Sequence, residues 1–141
     1  MADSGNEDAN GRYRRGCSMA GFEDLEVWQQ AHGLVLDIYR VTDTFPNTER
    51  FRLTDQLCRS AASIPANIAE GKGRDSNREF LRFLVIARGS LEETKYHLLL
   101  AKDLEYLPKA DYNDLIDRYN VVGKMLNGLI NKIKKEVQGS S

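Results

Sequence analysis

A chain of 141 residues, 41% hydrophobic and 29% charged, is long enough to bury a core without staples and too short for two ordinary domains. Its formal net charge of -1 hides segmentation: residues 1–49 carry 4 basic and 9 acidic side chains, 50–88 carry 8 and 4, 89–117 carry 3 and 7, and 118–141 carry 5 and 1. That alternation argues against a uniformly basic nucleic-acid coat, two isolated cysteines (Cys17 and Cys58) argue against a disulfide framework or zinc site, and no apolar run approaches the roughly 20 residues of a membrane span. No secretory h-region is present, so the expectation is a soluble protein of a reducing cytoplasm with no membrane partner.

Residues 1–21 are rich in Gly, Asn, Asp and Ser, carry Arg12, Arg14 and Arg15, and lack apolar periodicity; they are expected to form a disordered tail. Met19, just before the first patterned residues, is an alternative start to Met1. The first helix is expected from Phe22 or Glu23, because Glu23, Asp24 and Glu26 put negative charge where the helix dipole favours it. Its stripe is Val27, Ala31, Leu34, Ile38, Val41 and Phe45, with a second stripe of Leu25, Trp28, His32, Val35 and Tyr39 beside it, and Pro46 ends it.

The second helix is expected from Thr48 or Glu49 through Leu53, Leu57, Ala61, Ile64 and Ile68 to a stop at Gly71. Pro65 lies inside it. Proline lacks the N–H that would bond the carbonyl of Ala61, so a bend or break is expected there, with Ala61, Ala62, Ser63 and Ala66 leaving room for a neighbouring helix. Beside the apolar stripe runs a polar line, Gln56, Ser60, Ser63, Asn67, Glu70 and Arg74. It reads either as a solvated flank or as a set of donors for carbonyls freed near Pro65, with Glu70 able to take an arginine from another helix or subunit.

Ser76-Asn77-Arg78-Glu79 has the form of a capping box and starts the third helix, whose core positions are Phe80, Leu84, Ala87, Leu91, Thr94, Leu98 and Ala101. Pro108 begins the last helix, with Tyr112, Leu115, Tyr119, Val122, Leu126, Leu129 and Ile133 on one stripe and Ile116, Gly123, Ile130 and Val137 beside it. Alternation of period two is absent. The expected fold is an all-α, up-and-down four-helix bundle over 22–137 with a proline-kinked second helix and a disordered end at 138–141.

Ser63-Ile-Pro-Ala-Asn-Ile-Ala-Glu-Gly71 with Gly73-Arg74, preceded by Leu53-Thr-Asp-Gln56 and followed by Ala87-Arg-Gly-Ser-Leu-Glu92, resembles the bundle proteins encoded in intervening sequences of bacterial 23S ribosomal RNA genes. The resemblance is close over about 22–107 and rests on pattern in the last helix. That family is in turn similar to accessory proteins of diversity-generating retroelements, ring-shaped homopentamers that bind nucleic acid and cooperate with a reverse transcriptase. The resemblance therefore implies a homopentamer, RNA or DNA as ligand and a reverse transcriptase as partner. Cys58-Arg59 stands where the family often has two basic residues, which weakens a basic surface there, and Lys72 replaces a frequent aromatic residue, which adds charge beside Arg74.

His32 and His97 lie in different helices with no ligand set around them, and Glu92 and Glu93 point about 100° apart on a helix, so neither pair suggests a metal centre or a carboxylate dyad. Gly71-Lys-Gly-Arg74 lacks Walker spacing and reads as a helix-terminating loop. No cofactor and no enzymatic activity are expected. The candidate nucleic-acid contacts are Arg59, Lys72, Arg74, Arg78 and Arg82, with Arg88 in the same basic set and Lys132, Lys134 and Lys135 as the alternative location. The rival readings are a solubilising surface and a structural oligomer or protein-binding adaptor.

Overall fold

The computed structural model describes residues 21–139, so the tail expected at 1–21 lies outside the described residues but for Gly21, as do Ser140 and Ser141. A 3-10 turn at Phe22–Asp24 precedes α1 (Glu26–Thr42), and a second at Asn47–Glu49 precedes α2 (Leu53–Lys72); α3 (Asn77–Asp103) and α4 (Lys109–Gly139) complete the chain. Short turns make successive helices antiparallel neighbours, and α4 closes on α1, giving the expected up-and-down all-α bundle. Among the described residues there is no strand.

The core follows the periodic stripes. Leu34 and Ile38 from α1, Leu57, Ala61, Ile64 and Ile68 from α2, Leu84 and Leu98 from α3, and Tyr119, Leu126 and Ile130 from α4 are buried. Each large aliphatic side chain of this set contributes about 1.5–3 kcal/mol of burial. Val35, read as part of a flanking stripe, is buried too, whereas Val41 is only partly so.

Helix boundaries differ from the sequence reading for identifiable reasons. Leu25 is extended, which ends the first 3-10 turn and lets the Phe22 ring fold back edge-on against Trp28 at 4.9 Å; α1 therefore starts at Glu26 rather than at Phe22 or Glu23. At its other end the Thr42 hydroxyl donates to the Ile38 carbonyl (2.9 Å) and the Thr44 hydroxyl to that of Val41 (2.7 Å), so α1 stops short of Pro46. Arg52 leaves helical geometry (φ -120, ψ -106) and delays α2 to Leu53, whose N–H donates to the buried Glu49 carboxylate at 3.4 Å.

α2 continues through Pro65, which is buried, without a break. Gly71 does not stop it. A Cβ at Gly71 would lie 2.7 Å from the Phe83 Cβ and 3.0 Å from the Phe80 ring, so this glycine allows α2 and α3 to meet. The stop falls at Gly73, whose N–H donates to the carbonyls of Ala69 and Glu70 at 3.2 Å. The capping box forms as expected, the Ser76 hydroxyl accepting the Glu79 N–H at 3.2 Å. α4 takes in Gln138 and Gly139, which the sequence pattern places in a disordered end.

Candidate nucleic-acid interface

The α2–α3 turn gathers four of the five candidate cations. Lys72 closes α2, Arg74 sits in the turn, and Arg78 and Arg82 occupy the first two turns of α3 on its exposed side. The Lys72 ammonium lies 5.9 Å from the Phe80 ring centroid, and the guanidinium carbons of Arg74 and Arg82 lie 4.9 and 4.8 Å from that of Phe83. Both rings are 7% exposed, so they act as walls that hold cations outward rather than as open platforms. Arg74 also donates to Glu70 at 2.7 Å and Arg82 to Glu79 at 3.4 Å, exposed pairs that orient the side chains and stabilise little. Arg78 is exposed and has no ion pair among the described residues.

Arg59 is not brought into this cluster. It is exposed on α2, thirteen residues before Lys72, or about 20 Å along the axis, and its nearest carboxylate is Asp55 at 3.9 Å. Arg88 is engaged elsewhere, donating to Asn127 of α4 at 3.2 Å.

The Asn77 amide donates to Glu136 at 3.0 Å and so ties the last turns of α4 to the start of α3. Lys132, Lys134 and Lys135, exposed on those turns, therefore share the bundle end that carries Lys72, Arg74, Arg78 and Arg82. Both locations that the sequence offers therefore lie at one end of the bundle, interleaved with Glu70, Asp75, Glu79 and Glu136, with Lys134 about 200° around α4 from Lys132. Glu23 and Asp24 lie on the α1 side of this end, which confines the positive face to α2, α3 and α4.

Two residues of the polar line, Ser60 and Ser63, form a seam with α3, while Gln56, Glu70 and Arg74 are exposed. Thr94 donates to Ser60 (2.9 Å) and to the Ser90 carbonyl (2.8 Å), Ser63 and Ser90 share a hydrogen bond of 2.9 Å, and the Asn67 amide bonds the Ser63 carbonyl (2.8 Å) and hydroxyl (2.9 Å). None of these donors serves the Ala61 carbonyl; Ser60 bonds Leu57, and Glu70 takes Arg74 of its own chain. Sequence reasoning misses Ser90 and reads Thr94 as plain core, although a Ser or Thr recurring at i+4 opposite a serine line is the available signal.

A second exposed feature is an apolar groove between α1 and α2, lined by Phe22, Trp28, His32 and Val35 on one side and Ala62, Pro65, Ala66 and Ala69 on the other. His32 stacks on Trp28 at 4.9 Å, and His97 bonds Glu93 at 3.1 Å. Among the described residues no group of three or more His, Cys, Asp or Glu is placed to hold a metal ion, and no helix is long and apolar enough to cross a membrane.

Elsewhere, perturbed groups belong to the scaffold. Burial would raise the Asp37 carboxyl, but hydrogen bonds and charge from Arg118, at 2.6 Å, and from Arg40 overcome it and hold the group below its ordinary range. Burial, opposed by a hydrogen bond with Thr42, pushes the Cys58 thiol up. Burial likewise raises Tyr119, whose hydroxyl has no hydrogen-bond partner in the core.

A family model described as 23S rRNA-intervening sequence protein matches residues 23–128, from the first 3-10 turn into the last helix. Among solved structures, a Bacteroides thetaiotaomicron protein of unknown function from the S23 ribosomal protein family superposes with a TM-score of 0.70 at 27% identity, covering 74% of this chain and 95% of that one. No curated protein matches the chain. With three quarters of its length matched and the bundle shared, the chain belongs to the 23S rRNA-intervening sequence protein family.

Proposed function

We propose that the protein is a non-enzymatic, self-associating nucleic-acid-binding bundle, a ribonucleoprotein accessory component whose binding surface is the basic end formed by α2, α3 and α4. The observation that supports this reading is that the bundle end carrying Lys72, Arg74, Arg78 and Arg82 also carries the last turns of α4 with Lys132, Lys134 and Lys135, in a chain whose net charge is nearly zero. Local surplus, not net charge, draws phosphates. Self-association, to a pentamer by the family resemblance, would repeat the surface and let weak contacts act together on an extended polyanion.

The test is binding of RNA and DNA by the purified protein across a salt series. Affinity that falls linearly in log salt, for both nucleic acids and many sequences, supports the reading; absence of binding at low salt removes it. The apolar α1–α2 groove favours a second reading, a protein-binding adaptor, and a reverse transcriptase is the partner the resemblance offers. A protein that captures a reverse transcriptase but no nucleic acid would fit the adaptor.

A further inference from the structure

Two guanidinium groups from different parts of the chain converge on one ring. The Arg74 guanidinium carbon is 4.9 Å and that of Arg82 4.8 Å from the Phe83 centroid, so the two lie no further apart than twice that distance. Phe83 is itself fixed, because its Cβ packs where any side chain at Gly71 would have to go. The carboxylates take one nitrogen from each arginine, Nη2 of Arg74 and Nε of Arg82, which leaves the other N–H donors of each guanidinium outside these ion pairs. An arginine held by an aromatic face loses less freedom on binding than a free lysine, and its planar fork suits phosphate oxygens.

We propose that Arg74 and Arg82, positioned by Phe83, form a seat for the backbone phosphates of a nucleic-acid duplex. This rests on the nucleic-acid reading above and names which part of the basic end does the seating and what it seats. Phosphate is the ligand because the seat is made of guanidinium donors, and no open aromatic face is left there for a base: Phe80 lies under Lys72 and Phe83 under the two arginines. Single-strand binding draws on aromatic stacking, whereas a duplex offers the denser row of phosphates. Phe83 is a positioning residue that acts through the arginines.

The deciding variant keeps charge and removes the fork: Arg74→Lys with Arg82→Lys in the full chain. Binding of fluorescent RNA and DNA duplexes of about 20 base pairs, and of the matching single strands, is measured at several salt concentrations. The seat predicts duplex affinity about tenfold weaker than wild type, with melting temperature and salt slope unchanged, because lysines still neutralise phosphates but do not stack or fork. Phe83→Leu should weaken binding in the same direction, and Arg59→Lys, which lies outside the basic end, should not. If the double lysine variant binds as wild type does while its glutamine counterpart binds weakly, charge is diffuse and the seat is wrong although the nucleic-acid reading stands. Tighter binding of single strands than of duplexes overturns the duplex assignment, and no binding by wild type overturns both.

Discussion

The Tyr106 hydroxyl donates to the Glu49 carboxylate at 2.9 Å, joining the turn before α2 to the turn after α3 across 57 residues of sequence. The same carboxylate accepts from Arg52 at 3.3 Å and from the Leu53 N–H at 3.4 Å, and Phe45 packs against the Tyr106 ring at 5.8 Å. Glu105, left-handed at φ 66, turns the chain so that the N–H groups of Tyr106 and Leu107 reach the Ala101 carbonyl at 2.9 and 3.2 Å. One buried acid thus caps α2 and fastens the bundle end opposite the basic surface. Glu49→Ala should strand the Leu53 N–H and lower stability by about 1–3 kcal/mol, read from denaturant melts.

That bond also has a pH signature. The hydrogen bond to Glu49, with burial and the carboxylate charge behind it, raises the Tyr106 phenol above its ordinary 10.0, and burial raises Tyr119 further. Both groups bind their protons more tightly folded than unfolded. Their contribution is therefore complete below the ordinary phenol range and fades as pH climbs through it. Stability should decline from about pH 10 upward, and Tyr106→Phe should decline less steeply than wild type in melts over that range.

The serine and threonine seam is expected to behave as a coupled pair. Thr94→Val leaves the Ser60 hydroxyl buried without its donor and should destabilise by about 1–3 kcal/mol. Adding Ser60→Ala should recover part of that loss, because two apolar groups replace two satisfied ones; equal, additive losses in a double-mutant cycle would show that the pair is not coupled.

How far the sequence can be read depends on the kind of signal. The 4-3 stripes from Leu53 to Ile68 and from Phe80 to Ala101 name core faces correctly because helical period alone decides them. The Ser76 cap is equally local and equally legible. Gly71 reads as a stop in sequence, yet its reason is Phe83, twelve residues on, and close approach between helices leaves no mark at the glycine itself. Glu49 looks like an ordinary first-turn acid because its partner Tyr106 is distant. At the site, Lys72, Arg74, Arg78 and Arg82 are legible as neighbours around a turn. Arg59 stands apart from them, while the joining of Lys132, Lys134 and Lys135 to the same end needs the hydrogen bond from Asn77 to Glu136.

Gly71→Ala follows from the same close approach. The new methyl would sit 2.7 Å from the Phe83 Cβ, so α2 and α3 must part or Phe83 must move. A drop of about 1–3 kcal/mol is expected in melts, accompanied by weaker duplex binding because Phe83 carries the two arginines.

The basic end as the nucleic-acid surface is tested most directly by the salt dependence of duplex binding in a variant with Lys72, Arg74, Arg78 and Arg82 all changed to glutamine. Its mass in solution is followed in parallel. Each phosphate that the variant no longer neutralises should reduce the slope of log affinity against log salt by about 0.9, so the slope should fall by several units and binding should weaken for every sequence. A variant of unchanged mass that binds with the wild-type affinity and slope would contradict the assignment.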